Sequence, residues 1–260
     1  DSVASRGLGD VYKRQGLLGL SAIIIVATWL TLVIWQPSDS TYESLADSKS
    51  STIALVGFVV PAILALIAVI PRLPVRTLAL LPVALAINVV LGHIIGNMGL
   101  PLPLYLDSIG TVLVGALAGP WAGLVTGVLS ALVWGTFNPT VVGFAAAYAF
   151  VGVCAGLLGK WWAGAYWKIA LSALLIGFLT ALLSAPIASF IFGGTAGTGT
   201  GLLVTAYRSL GFDPMTAVFL QSWTSDPIDK FIVFSVIYLV IRALPQRTRR
   251  TFAPTSDKAA

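Results

Sequence analysis

Cysteine and histidine are all but missing from this chain of 260 residues, which holds one of each, Cys154 and His93. A lone cysteine cannot close an internal disulfide, and one cysteine with one histidine cannot make a zinc site. Charge is scarce too. Asp, Glu, Lys and Arg together supply 10% of the residues, against roughly 25% in soluble domains, too few to cover a water-facing surface. This excludes a soluble enzyme and a disordered chain. No Gly-Lys-Ser/Thr phosphate loop occurs, so the glycine- and threonine-rich run at 193–201 is not a nucleotide cradle and the chain cannot use ATP unaided. Neither enzymatic activity nor a cofactor is expected.

What the sequence does have is apolar length. Hydrophobic residues make up 57% of it, with a mean hydropathy of +0.94. Apolar runs recur that are long enough to cross a bilayer, which takes about 20 residues. They cover 16–36, 51–70, 77–98, 104–137 (interrupted by Gly119-Pro120), 141–158, 168–192 and 228–244. The reading is an all-α polytopic membrane protein. The net charge of +5 does not point to nucleic acid, because the bases flank the apolar runs. Residues 1–15 are set aside: Ser5 to Gln15 (SRGLGDVYKRQ) back-translates codon for codon to a transposon sequencing adaptor, and is read as a scar.

The Gly119-Pro120 interruption decides the topology, because proline either kinks one helix or separates two. If it is a turn, Arg72, Arg76, Lys160, Lys168 and the Arg247–Arg250 cluster all fall on one side. Asp39, Glu43, Asp47, Asp107, Asp213, Asp226 and Asp229 then fall on or near the other. The positive-inside bias favours the turn, with eight helical segments and both termini cytoplasmic. The segment 104–118 would span only roughly 22 Å, so other helices must shield its ends.

Small residues recur every four positions at Gly115, Gly119, Gly123 and Gly127, and at Ala84, Asn88, Gly92 and Gly96. Such faces let backbones approach closely, either within the chain or against another membrane subunit. Cys154 reads as a small buried hydrophobe, and Trp161-Trp162 beside Lys160 as an interfacial anchor.

Polar residues in apolar segments carry a functional reading by default. His93 and Asn97 share a helix face. Tyr105, Asp107 and Ser108 open the next segment, Asn138 closes a later one, and Gln221, Trp223, Asp226, Asp229 and Lys230 lie at or before the last helix. Structural alternatives stay open: an interhelical hydrogen bond for His93, and helix-start electrostatics for Asp229 with Lys230 reaching the headgroups. The stretch 193–227 is too long for a plain connector. Its apolar parts, 202–210 and 215–223, are expected to form short helices in a lid.

Leu104-Tyr105-Leu106-Asp107-Ser108-Ile109-Gly110-Thr111, with Gly119-Pro120-Trp121-Ala122-Gly123, resembles the substrate-binding S components of energy-coupling factor (ECF) transporters. The close, Asp226-Pro227-Ile228-Asp229-Lys230-Phe231 to Leu244-Pro245-Gln246-Arg247, is similar to the last helix of that group. The resemblance covers about residues 77–252. It implies a six-helix bundle at 71–250, preceded by an extra transmembrane hairpin at 16–70 and followed by a cytoplasmic tail at 251–260. It also implies a micronutrient- or vitamin-binding subunit that captures its solute at the outer face. Such a subunit delivers through a membrane T component and two cytoplasmic ATPases, an ABC-type importer.

On this basis the expected solute-binding residues are His93, Asn97, Tyr105, Asp107, Asn138, Gln221, Trp223, Asp226 and Lys230. The family's first helix shows alanines four apart for partner contact; here the corresponding face is Ala84, Asn88, Gly92 and Gly96. Two other classes compete. A ligand-sensing membrane domain of a signalling protein would need an output domain, for which the roughly ten residues after Arg250 are too few. A stand-alone secondary transporter often shows inverted repeats and an ionisable pair at mid-bilayer, and neither is evident in the sequence.

Overall fold

The structure, a computed structural model, describes residues 2–34, 49–96, 98, 103–192 and 200–252. Among them all regular structure is helical. The helices are α1 (Ser2–Ile34), α2 (Lys49–Val69), α3 (Val75–Leu78), α4 (Leu81–Gly96), α5 (Ile109–Ala118) and α6 (Pro120–Gly135). They continue with α7 (Ala145–Leu157), α8 (Tyr166–Phe192), α9 (Thr200–Ser209), α10 (Pro214–Ala243) and α11 (Gln246–Phe252). Among the described residues five stretches are long and apolar enough to cross a membrane: Val11–Ile34, Thr52–Arg72, Val75–Gly96, Pro139–Leu157 and Tyr166–Phe190. Large apolar side chains such as Val83, Leu171 and Leu239 are exposed, as suits a protein whose outer surface meets lipid rather than water. α1 runs without a break through the residues read as an adaptor scar.

Gly119-Pro120 is a turn between two helices. Gly119 has φ of 91°, a left-handed conformation that glycine adopts at little cost. Pro120 takes the first helical position of α6, where its missing N–H is not needed. The chain doubles back there, so Gly115 and Gly123, four residues to either side, come together. A Cβ on Gly123 would lie 3.0 Å from the Gly115 Cα and would collide with the carbonyl of Gly152 on α7. Gly127 meets the Tyr148 carbonyl in the same way. This glycine stripe therefore packs inside the chain.

The second stripe does as well, which corrects its assignment as a partner-docking face. Ala84, Asn88 and Gly92 are buried. Asn88 is fully enclosed, donating through Nδ2 to Thr111 Oγ1 (2.8 Å) on α5 and to Ser130 Oγ (2.8 Å) on α6. Its Oδ1 accepts from the Gly110 amide (2.6 Å). A polar group with this many partners is an internal clamp between three helices. Gly96 is half-buried and faces a cavity.

Three boundaries differ from the sequence expectation. Val75–Gly96 is one apolar span, but α3 and α4 are separated by a tightened turn at Ala79-Leu80. Pro82 has no N–H to give the Leu78 carbonyl, so the regular ladder cannot continue there. The segment expected as helix from 104 is not helical until Ile109. Its Tyr105 and Leu106 amides are taken by a side chain of α10 instead, and Leu106 adopts φ of 48°. α5 spans only roughly 15 Å, and the run 103–106 adds up to about 13 Å. Irregular backbone at this depth is acceptable only when buried in protein.

The helix expected over 228–244 starts at Pro214 instead. Asp213 caps it, accepting the Thr216 amide (3.1 Å), and Pro214 sits at its first position. Residues 215–223 are thus not a separate lid helix. Pro227 lies inside α10, where Gly177 of α8 approaches it so closely that a Cβ on the glycine would strike the Pro227 Cα. α9 does match the short helix expected at 202–210; Val204 packs with Ala185, Ala188, Ala217 and Val218 of α8 and α10.

The α1–α2 hairpin is joined to the rest. Leu32, Ala54 and Phe58 pack with Ala146, Ile187, Phe190 and Met215, and Trp29 Nε1 donates to the Leu182 carbonyl (2.7 Å). The tryptophan pair divides. Trp161 is partly exposed, with the Lys168 ammonium 5.7 Å from its ring. Trp162 is buried, stacks on Phe234 (5.6 Å) and donates to the Ala155 carbonyl (2.8 Å), so it is core rather than anchor.

Candidate functional site

A cavity of about 530 Å³ lies among α4, α6, α7, α8 and α10, closed by the runs 103–108 and 137–144. That is the size of a small-molecule site. Exposed lining residues mark its mouth: His93 on α4, and Phe137 and Asn138 beyond α6. Buried ones form its floor: Asp107, Ser108, Tyr148, Thr180, Gln221, Asp226 and Lys230. Aromatic and apolar walls come from Trp134, Val141, Phe144 and Val151. Trp134 fits because Gly92 opposite has no side chain; a Cβ there would run into the indole and lie 2.8 Å from the Asp107 Cβ.

The floor is built around Lys230. Its ammonium is 2.7 Å from Asp229 Oδ2, 3.3 Å from Ser108 Oγ and 3.9 Å from Asp107 Oδ1. Asp229, enclosed completely, uses Oδ1 to accept the amides of Tyr105 and Leu106, both at 2.9 Å. Two successive N–H groups converge on one oxygen only because Leu106 turns into the left-handed region. That conformation costs roughly 1–2 kcal/mol for a residue with a Cβ, offset here by two charge-assisted hydrogen bonds. The acid is therefore a backbone clamp as well as a counter-ion. It stands in the middle of α10, not at a helix start, and Lys230 points inward rather than to headgroups.

Around this pair, the Tyr148 hydroxyl donates to Asp107 Oδ2. Asp226, one helical turn before Lys230, accepts from Ser184 (3.0 Å) and weakly from Ser225 (3.4 Å). Gln221 Nε2 donates to Ser225 Oγ (2.8 Å).

Of the residues expected from sequence, His93, Tyr105, Asp107, Asn138, Gln221, Asp226 and Lys230 line this one cavity. Asn138 also caps the 3-10 turn Pro139–Phe144, accepting the Thr140 hydroxyl (2.7 Å). Trp223 is not among the lining residues. It is 42% exposed and packs edge-on against Phe219 at 6.3 Å. At 100° per residue it stands about 160° round the helix from Gln221 and about 60° from Asp226. Asn97 lies outside the described residues, as does the run 193–199 of the expected lid.

Sequence reasoning missed Trp134, Tyr148, Thr180 and Ser184. A signal existed for three of them: a tyrosine in an alanine-rich helix, and a Thr-Ser pair four apart in an apolar one, are polar groups in membrane-length segments.

The cavity lies at the opposite end of α6 from Gly119, roughly 22 Å away along the helix. The Gly119 end collects the bases. Arg242 donates to the Ala163 carbonyl (3.1 Å), and Lys168 sits 5.7 Å from the rings of Trp161 and Trp167. No protein-family model matches the chain, and no curated protein or solved structure matches it.

Proposed function

We propose that the protein is the substrate-capture subunit of an ECF-type importer, taking up a small vitamin-like solute. The observation that carries this reading is the cavity: it is sized for a small molecule, mostly apolar, and furnished with directed polar groups from four helices and the runs 103–108 and 137–144. The Leu-Asp-Ser-Ile-Gly-Thr run supports it further, because this motif supplies Asp107 and Ser108 to the floor and Thr111 and Gly110 to the Asn88 clamp.

In this reading the bundle has six core crossings, with α3–α4, the 103–118 segment, α6, α7, α8 and the C-terminal half of α10. The α1–α2 hairpin is an addition packed beside α7 and α8. The basic end faces the cytoplasm by the positive-inside rule, so the cavity opens outward. Capture needs no energy, and release to the inside falls to a T component and two ATPases, since the chain carries no phosphate loop. The Ala84–Gly96 stripe is turned inward, so the partner surface must be a different, lipid-exposed face.

Purified protein, denatured and extracted, should yield a small organic molecule in near-stoichiometric amount by mass spectrometry. Reconstituted alone in liposomes, it should hold that molecule without concentrating it under a proton or sodium gradient. Concentrative uptake by the chain alone would overturn this function in favour of a secondary transporter.

A further inference from the structure

The charges around the cavity do not balance. Among the described residues, Lys230 is the only lysine or arginine in its lining, whereas Asp107 and Asp226 line it and Asp229 stands directly behind. The Lys230 ammonium is closest to Asp229 (2.7 Å), and this contact neutralises it locally; its distance to Asp107 is 3.9 Å. Asp226, buried to all but 7%, forms no ion pair among the described residues, where its partners are the hydroxyls of Ser184 and Ser225. One fixed cation thus faces three carboxylates in a region of low dielectric. An uncompensated buried charge is expensive, so the excess is relieved either by a proton held on one carboxyl or by a cation that enters the site and displaces that proton.

The walls suit the same partner. The indole of Trp134 and the rings of Phe144 and Tyr148 line the space beside these acids, and aromatic faces attract cations as well as apolar rings. An anionic solute would meet two carboxylates and an ammonium already taken.

From this we infer that the cavity selects a small organic cation, an amine or cationic ring, whose positive charge rests against Asp226 with Asp107 nearby. The inference rests on the reading of the cavity as a solute site and adds the charge class of the solute. Asp226 is then the counter-ion, held in place by Ser184, while Asp229 and Lys230 form a closed pair that shapes the floor.

The test uses the full-length protein in nanodiscs and three size-matched probes at pH 7: phenethylamine (cationic), 2-phenylethanol (neutral) and phenylacetate (anionic). Binding is read by equilibrium dialysis. The expected result is phenethylamine bound roughly tenfold or more tighter than the alcohol, the scale of one charge-assisted contact, and phenylacetate weakest. Asp226→Asn should erase most of the amine preference and Asp226→Glu should keep it, as should Trp223→Phe outside the cavity. If the alcohol or phenylacetate binds as tightly as the amine, the cavity stands and the cation preference falls. If none of the three binds, the solute-site reading fails and this inference with it. The wild-type comparison needs no variant, so a substitution that fails to fold does not shield the idea.

Discussion

Asp229 and Leu106 are 123 positions apart in sequence, yet the Leu106 amide donates to Asp229 Oδ1 at 2.9 Å. That contact makes one carboxylate responsible for two features at once. It keeps the run before α5 out of the helix, and its second oxygen holds Lys230 under the cavity.

Asp229→Asn should therefore be costly despite its near-identical shape. The amide keeps one oxygen for the Tyr105 and Leu106 N–H groups but leaves Lys230 without its near partner. Breaking a buried ion pair on one side costs about 3–5 kcal/mol. Denaturant titration in mixed micelles should show the loss, and Asp229→Asn with Lys230→Met should recover part of it. A single variant as stable as the wild type would remove the ion pair from the account of this fold.

Asn88→Ala should destabilise by about 1–3 kcal/mol, because the Gly110 amide is left buried without its acceptor while two hydroxyls lose a donor. The same assay measures it. Since Asn88 is enclosed, the variant should leave the lipid-facing surface unchanged. Loss of partner association at unchanged stability would contradict the internal-clamp role.

Gly123→Leu should prevent α6 from closing on α7, since even a Cβ there collides with the Gly152 carbonyl. Little folded, monodisperse protein is expected by size-exclusion chromatography. Gly201→Ala is the matched control: nothing lies within 4 Å of a Cβ at that position, and the protein should elute as the wild type does.

Asp213 gives a pH signature at the start of α10, outside the apolar spans. Slight burial nudges its carboxyl upward, but hydrogen bonds from Thr216 and the Met215 amide outweigh this and hold it below its ordinary value. A carboxyl depressed in the folded state stabilises above its unfolded pKa, about 3.9, and loses that contribution as pH falls through the folded value. Asp213→Ala should cost roughly 0.5–2 kcal/mol at neutral pH, as for other helix caps. The gap from wild type should narrow below about pH 4. A gap constant down to pH 2 would mean that the carboxylate charge contributes nothing to the cap.

Much of this protein is legible without coordinates. Apolar run length and scarce charge require membrane-crossing helices, because only internally bonded backbone survives in hydrocarbon. Gly119-Pro120 marks a helix boundary from local chemistry alone, since proline ends a hydrogen-bond ladder and glycine takes the left-handed turn. Polar residues in apolar surroundings likewise named seven of the cavity's lining residues.

Tertiary structure decided the rest. Residues 104–108 read as the start of an apolar helix, and nothing local says that the Tyr105 and Leu106 amides belong to Asp229. The stripe from Ala84 to Gly96 reads equally as an inner or an outer face, and only Thr111 and Ser130 on neighbouring helices turn Asn88 inward. Trp223 and Gln221 are two residues apart, and which of them faces the cavity depends on how α10 is rotated against α8. Periodicity fixes which residues share a helix face. Which face is buried, and against what, is set by contacts from distant parts of the chain, as where Gly177 lets Pro227 come close.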